Sequence, residues 1–395
     1  YQRMPHIRLK FHNSGVGGAR AWDALARFDE DVAAYKPRYV SILLGMNDGT
    51  YRSYDQATFD AYHRDMTTVV EKIVAAGATP LLMTPTMYDS RASRMFPRKG
   101  RTYSEGLLTQ YNAVLTYYGT WLREVAAENG YGFVDMWGPL NNLTIAARKT
   151  DPSFTIIKDA IHPDAPGQAV MAVAMIDDLG LKAPLSNIRL TVNGKDASKA
   201  TSTGGTVSDL KRTENGIEFM WLAKGLPWVL PEEAALGVNL TKLGHKNSRE
   251  AFEVHGLAPG RYELSIDGTA VGTWGSEQLS RHIELQANDK TPQYQQALKV
   301  AHLNRDRNSG PVKNLRNEWR RFQSYARAKR DAQTDEAREK VAQTEKRLEG
   351  LSERVAGHAS DAKKIEDQIF EVNQPVSRKY VLTRVVAPAK KPAAK

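Results

Sequence analysis

Cysteine is absent from all 395 residues, which excludes disulfides, thiolate nucleophiles and cysteine-based zinc sites. No run of about 18 apolar residues occurs, so no membrane-spanning helix is expected. The usual zinc-ligand spacings are missing too, and neither a metal nor any other cofactor is expected. A glycine-rich turn at Asn13-Ser14-Gly15-Val16-Gly17-Gly18 lacks the Gly-x-Gly-x-x-Gly spacing of a dinucleotide loop. Acidic residues are in short supply: 45 Asp and Glu face 55 Lys and Arg, a net charge of +10. That surplus admits a nucleic acid or an anionic surface as partner. No nucleic-acid motif accompanies it, so a basic secreted protein with a basic tail is the expected reading and nucleic acid is not an expected partner.

What is present begins with strand and helix signals alternating over residues 7–180. Ile7-Arg8-Leu9-Lys10-Phe11 alternates like a strand. Tyr39-Val40-Ser41-Ile42-Leu43-Leu44, Thr79-Pro80-Leu81-Leu82-Met83-Thr84 and Gly132-Phe133-Val134-Asp135-Met136 are short apolar runs suited to buried parallel strands. Between them, apolar residues recur at helical spacing: Trp22, Leu25, Phe28 and Val32; then Tyr62, Met66, Val69, Val70 and Ile73; then residues 110–129, stopping at Gly130. The alternation predicts a three-layer α/β fold around a parallel sheet.

The pattern changes near Lys182-Ala183-Pro184. Asp267-Gly268 between two strand-like runs signals a hairpin. Val341, Leu348, Val355, Ala362 and Ile369 recur every seven residues, a helical seam that Gly350 and Gly357 weaken. Its expected use is packing on the rest of the chain. After Glu371 there are six Lys or Arg and no acid. Four parts are therefore expected: an α/β domain over 1–185, a small β-rich accessory module over 186–290, a charged helical hairpin or coiled-coil-like region over 291–374, and a basic, disordered tail over 375–395.

Three segments of the α/β part fall just after strand ends, where such folds place active sites. In the turn at residues 13–18, glycines let backbone N–H groups approach a ligand. In Gly45-Met46-Asn47-Asp48, an Asn side chain could stabilise a developing oxyanion. In Asp159-Ala160-Ile161-His162, the carboxylate could fix the imidazole tautomer and support its protonated form. Taken singly, each has a plain alternative: a turn, a helix cap, a structural histidine.

Taken together and in this order, the three segments resemble the SGNH hydrolase family, the GDSL-like lipases and acylhydrolases, over roughly residues 7–180. The resemblance implies a flavodoxin-like sheet and an ester hydrolase. Gly15 and Asn47 match the family's oxyanion-hole positions, and Asp159 and His162 its Asp-x-x-His pair. The departure is that no Gly-Asp-Ser nucleophile block precedes Asn13. The block's strand is expected to be missing with it, so the chain is expected to be a fragment of a longer product, inactive alone. Ser14 lies in the oxyanion segment rather than opposite His162. The implied substrate is a carboxylic ester, with O-acetyl groups on carbohydrate as the expected class, and the implied location is secreted or periplasmic. Tyr51, Arg52, Tyr88 and Arg91 follow strand ends and are expected to line the cleft. The alternative is a non-catalytic relative that binds glycan or protein. Oligomeric state is not legible.

Overall fold

Short apolar runs become strands where a neighbour can satisfy their backbone. The computed structural model describes residues 1–100, 102–193 and 197–385. Strands β1 (Tyr39–Ile42), β2 (Thr79–Met83) and β3 (Gly132–Val134) form a parallel sheet in that order. Tyr39 lies opposite Thr79, and Leu81 opposite Gly132. Successive strand residues face opposite sides. Leu82 therefore enters one core with Tyr62, Met66, Ile73, Leu115 and Tyr118. Met83 enters another with Val134, Met136 and Ala174. The first core is covered by helices Gln56–Ala75 and Tyr111–Asn129, the second by helix Ala165–Asp178. Two helical layers thus enclose the sheet. Helix Gln56–Ala75 starts where Asp55 accepts from the Ala57 N–H, and helix Tyr111–Asn129 stops at Gly130 in the left-handed conformation.

Residues 7–11 differ from expectation. They form no strand, and Ile7, Leu9 and Phe11 are exposed, Phe11 at 54%. Alternation alone does not make a strand when no neighbouring ladder is available, and β1 pairs only with β2 among the described residues. The single helix expected through Trp22, Leu25, Phe28 and Val32 is also broken, into Ala21–Leu25, Phe28–Asp31 and a 3-10 turn at Ala33–Tyr35. Arg27 and Asp31 turn inward there as a buried ion pair, where the apolar stripe would have continued.

Beyond residue 185 come β4 (Ser186–Asn193), β5 (Ala197–Thr203), β6 (Gly205–Thr213), β7 (Gly216–Ala223), β8 (Glu250–His255), β9 (Arg261–Ile266), β10 (Thr269–Gly275), β11 (Ile283–Glu284) and β12 (Arg378–Arg384). They form two sheets, ordered β10-β9-β12-β7-β6 and β11-β8-β4-β5. Ile188, Leu190 and Phe252 from one meet Phe219, Leu264 and Tyr380 from the other in a shared core. The hairpin at Asp267-Gly268 forms, with both residues at positive φ. Glu250, at the start of β8, is fully buried, and one carboxylate oxygen has no hydrogen-bond partner. Burial pushes its carboxyl up to about 8, with Arg3 opposing.

The expectation of a disordered tail from 375 is overturned at β12, which lies between β7 and β9, antiparallel to both. Tyr380 and Leu382 point into the core and Lys379 faces outward, while Arg378 and Arg384 sit on the core-facing register at the two ends of the strand. The basic residues hid a central strand. Positions 386–395 lie outside the described residues. A Cβ on Gly216 would sit 1.7 Å from the Leu382 carbonyl oxygen. Gly216→Ala is expected to loosen the β7–β12 pairing at a cost of about 1–3 kcal/mol, read as a lower urea midpoint. An unchanged midpoint would show that this register is wrong.

The helical region consists of Pro292–Arg307, Lys313–Asp331, Asp335–Lys346 and Leu351–Val372. The heptad seam is buried only in its second half, at Val355, Ala362 and Ile369. Gly350 adopts φ 72 and turns the chain before the last helix, which breaks the series rather than weakening it.

Candidate active site

The Asp159–His162 loop lies between helices Trp137–Ala147 and Ala165–Asp178. One Asp159 carboxylate oxygen accepts the backbone N–H groups of Ile161, at 3.0 Å, and His162, at 2.7 Å. The other lies 2.7 Å from His162 Nδ1 and 2.6 Å from Arg98 Nη2. Burial works to raise this carboxyl, but the His162 and Ile161 N–H groups and the imidazole outweigh it and hold it at about 2. An ionised Asp159 keeps the proton on Nδ1 and leaves Nε2 as an acceptor. The His162 side chain is 72% exposed. The loop is anchored below: Asp89 N–H donates to the Ala160 carbonyl at 3.0 Å. Asp89 is itself buried and gripped by both carboxylate oxygens on Arg148, at 2.9 and 2.7 Å, and by Thr155.

The turn after β1 is fixed by its glycine. Gly45 has φ 118, and a Cβ there would lie 2.5 Å from the Pro85 ring. Asp48 closes the turn by accepting from Gly45 N–H at 2.9 Å and from Ala21 N–H at 2.8 Å. Burial pushes the Asp48 carboxyl up to about 6, against those two bonds. Asn47 donates one amide hydrogen to the Ala19 carbonyl at 3.1 Å and accepts the Tyr51 hydroxyl at 2.7 Å. These contacts set its amide orientation, and its second amide hydrogen has no partner among the described residues.

In the glycine-rich turn, Gly15 N–H donates to Asn13 Oδ1 at 2.8 Å. The Ser14 hydroxyl donates to the Asp31 carbonyl at 2.7 Å, which occupies it. Helix Lys313–Asp331 clamps this turn from outside. Arg316 donates to the Gly15 carbonyl at 2.9 Å and forks onto Asp31 at 2.8 and 2.6 Å. Arg327 donates to the Gly18 carbonyl at 2.6 Å and forks onto Asp23 at 2.7 and 2.6 Å. Asp31 is fully buried, and Arg27 at 2.5 Å and His12 at 3.3 Å complete its shell. Planar bidentate pairs of this kind set orientation as well as energy.

Asn47 to Ala19 and Asp48 to Ala21 thus bind the first two segments to each other. The third joins them through packing: Met46, Tyr51 and Ile161 flank one apolar cluster that contains Ala160, Tyr88 and Tyr111. No hydrogen bond joins His162 to either turn among the described residues. Of the expected cleft residues, Arg52 is exposed and paired with Asp55 at 2.6 Å, and Arg91 is exposed on helix Ser90–Met95. Tyr51 is half-buried on Asn47. Tyr88 corrects the expectation: it is 2% exposed, its ring lies against Tyr111 and its hydroxyl meets Ser93, so it belongs to the core and lines no open cleft. Arg98, Arg316 and Arg327 were not foreseen; the one hint was a cluster of basic residues around 94–99.

No group of three or more acidic or histidine side chains that could hold a metal occurs among the described residues. No described helix is long and apolar enough to cross a membrane.

The model of the GDSL-like lipase/acylhydrolase family matches residues 2–170. An acetylxylan esterase of Geobacillus stearothermophilus is 25% identical over 185 residues, 45% of this chain and 75% of that one. A gut microbial diltiazem-metabolizing enzyme of known structure superposes with a TM-score of 0.77 at 26% identity, covering 97% of this chain and 92% of that one.

Proposed function

Because residues 2–170 belong to the GDSL-like lipase/acylhydrolase family, we propose that this ester hydrolase removes O-acetyl groups from carbohydrate with His162 as general base and Asp159 as its partner. The 2.7 Å contact between His162 Nδ1 and an ionised Asp159 carries the reading. In it, a serine hydroxyl attacks the acetyl carbonyl while His162 Nε2 takes its proton. The carbonyl becomes a tetrahedral oxyanion, met by the Asn47 amide and backbone N–H groups of the 13–18 turn. His162 then protonates the departing sugar hydroxyl. Water, deprotonated by the same imidazole, releases acetate and restores the serine.

The serine belongs, in this reading, to a segment not contained in these 395 residues, on a strand along the free edge of β1. The unpaired edge, with Tyr39 and Leu43 exposed, supports that seat. The chemistry is confined to residues 1–185, and 186–290 and 291–374 serve as accessory parts. The acetylxylan esterase relative supports the substrate class. A polymer that does not cross a membrane implies secreted or periplasmic action.

The test is hydrolysis of p-nitrophenyl acetate and of acetylated xylooligosaccharide. A chain extended upstream through a Gly-Asp-Ser strand is expected to hydrolyse both, and the 395-residue chain to stay at background. An extended chain with no activity would favour a non-catalytic binding module. Asn13 occupying the Gly15 N–H is the observation on that side.

A further inference from the structure

On the outward face of the β11-β8-β4-β5 sheet, Asn187 and Arg189 of β4 stand beside Ala251 and Glu253 of β8. With Arg249, Arg281 and His282 they line an open cavity of about 180 Å³. Its charges are not balanced from within. Arg189 is neutralised by Glu253 at 2.6 Å, and Glu253 also holds His255 at 3.1 Å. The side chains of Arg249 and Arg281 have no hydrogen-bond or ion-pair partner among the described residues, and the Arg249 Nε–H is sequestered from solvent with no acceptor. A sequestered guanidinium hydrogen without an acceptor is costly, and so is a sequestered acceptor without a donor. The cavity holds one of each, because Asn187 Oδ1 is likewise buried and unpartnered. At the rim, His282 is held at φ 152 and ψ 156, a conformation strained for any residue but glycine.

We propose that this cavity is a binding site for a hydroxylated carboxylate, a uronic acid residue being the type. Two unpaired guanidinium groups suit a carboxylate, which accepts planar, paired N–H donors. The orphaned Asn187 oxygen needs a donor on the same ligand, and a sugar hydroxyl supplies it. A bare sulfate dianion satisfies the arginines but carries no donor for Asn187. A neutral pentose satisfies Asn187 but leaves the arginines unpaired. The site lies on elements apart from the Asp159–His162 loop, so it does not depend on the chain being an esterase.

Calorimetric titration of the full chain with D-glucuronate, xylose and inorganic sulfate tests this without any catalytic step. Glucuronate is expected to bind in the millimolar range, and xylose and sulfate about tenfold more weakly or not at all. Arg249→Gln and Arg281→Gln should each weaken glucuronate about tenfold. Arg281 is exposed, so that variant is expected to keep the wild-type melting temperature even if Arg249→Gln does not. Absence of glucuronate binding, or equal binding by Arg281→Gln, overturns the site. Sulfate binding as tightly as glucuronate overturns the sugar-acid assignment in favour of bare oxyanions.

Discussion

In a chain that carries the serine strand, His162→Ala lowers kcat for p-nitrophenyl acetate by at least about 10³-fold, with little change in KM. The imidazole moves protons in both halves of the reaction and contributes little to ground-state binding. Asp159→Asn is expected to cost about 10³–10⁴-fold, because it removes the charge that supports the imidazolium and relaxes the tautomer lock. Since Asp159 is held at about 2, it is ionised throughout any practical assay range. The acid limb of the pH profile therefore does not report this carboxylate. Steady-state kinetics of both variants decide the matter; a His162→Ala enzyme within tenfold of wild type would remove His162 from the mechanism.

A second large effect concerns stability and pH. The Glu250 carboxyl titrates at about 8 in the fold, against a usual 4.5. Between those values the native chain keeps a proton that the unfolded chain has released. Stability from this group is therefore fully present below pH 4.5 and is lost as pH rises toward 8, by about 1.4 kcal/mol per unit. Asp48, raised to about 6, adds a loss of the same sign at the acid end of that window. Glu250→Gln mimics the protonated form at every pH. It should match wild type near pH 4.5 and exceed it by an order of 3–5 kcal/mol near pH 8.5. Urea midpoints across that range give the answer, and a wild-type midpoint that is flat from pH 5 to 8 would refute the account.

The parallel sheet was legible because β1, β2 and β3 are short apolar runs, and because the covering helices repeat at helical spacing. The Asp159–His162 pair was legible because three residues on one loop suffice to make it. Other features depend on contacts that local spacing does not encode. Residues 7–11 have a strand pattern but no ladder to join. In β12 the apolar alternation is only two core residues long, Tyr380 and Leu382, set among bases that read as tail. The Arg316 clamp on Gly15 spans 301 positions, and the Arg98 contact with Asp159 spans 61. Tyr88 follows a strand end as a cleft residue would, yet the helix carrying Tyr111 closes over it.

The position of β12 has a kinetic side. β7 and β9 leave the ribosome long before residue 384 does, and until then they have no common neighbour. The nascent sandwich must hold a gap of one strand's width, its apolar inner face partly open, while the helices of 292–372 are still being made. Pairing of such high sequence separation is slow to form and exposes the chain to aggregation meanwhile. The sandwich is therefore expected to close only once residues 378–384 are available to pair with β7 and β9.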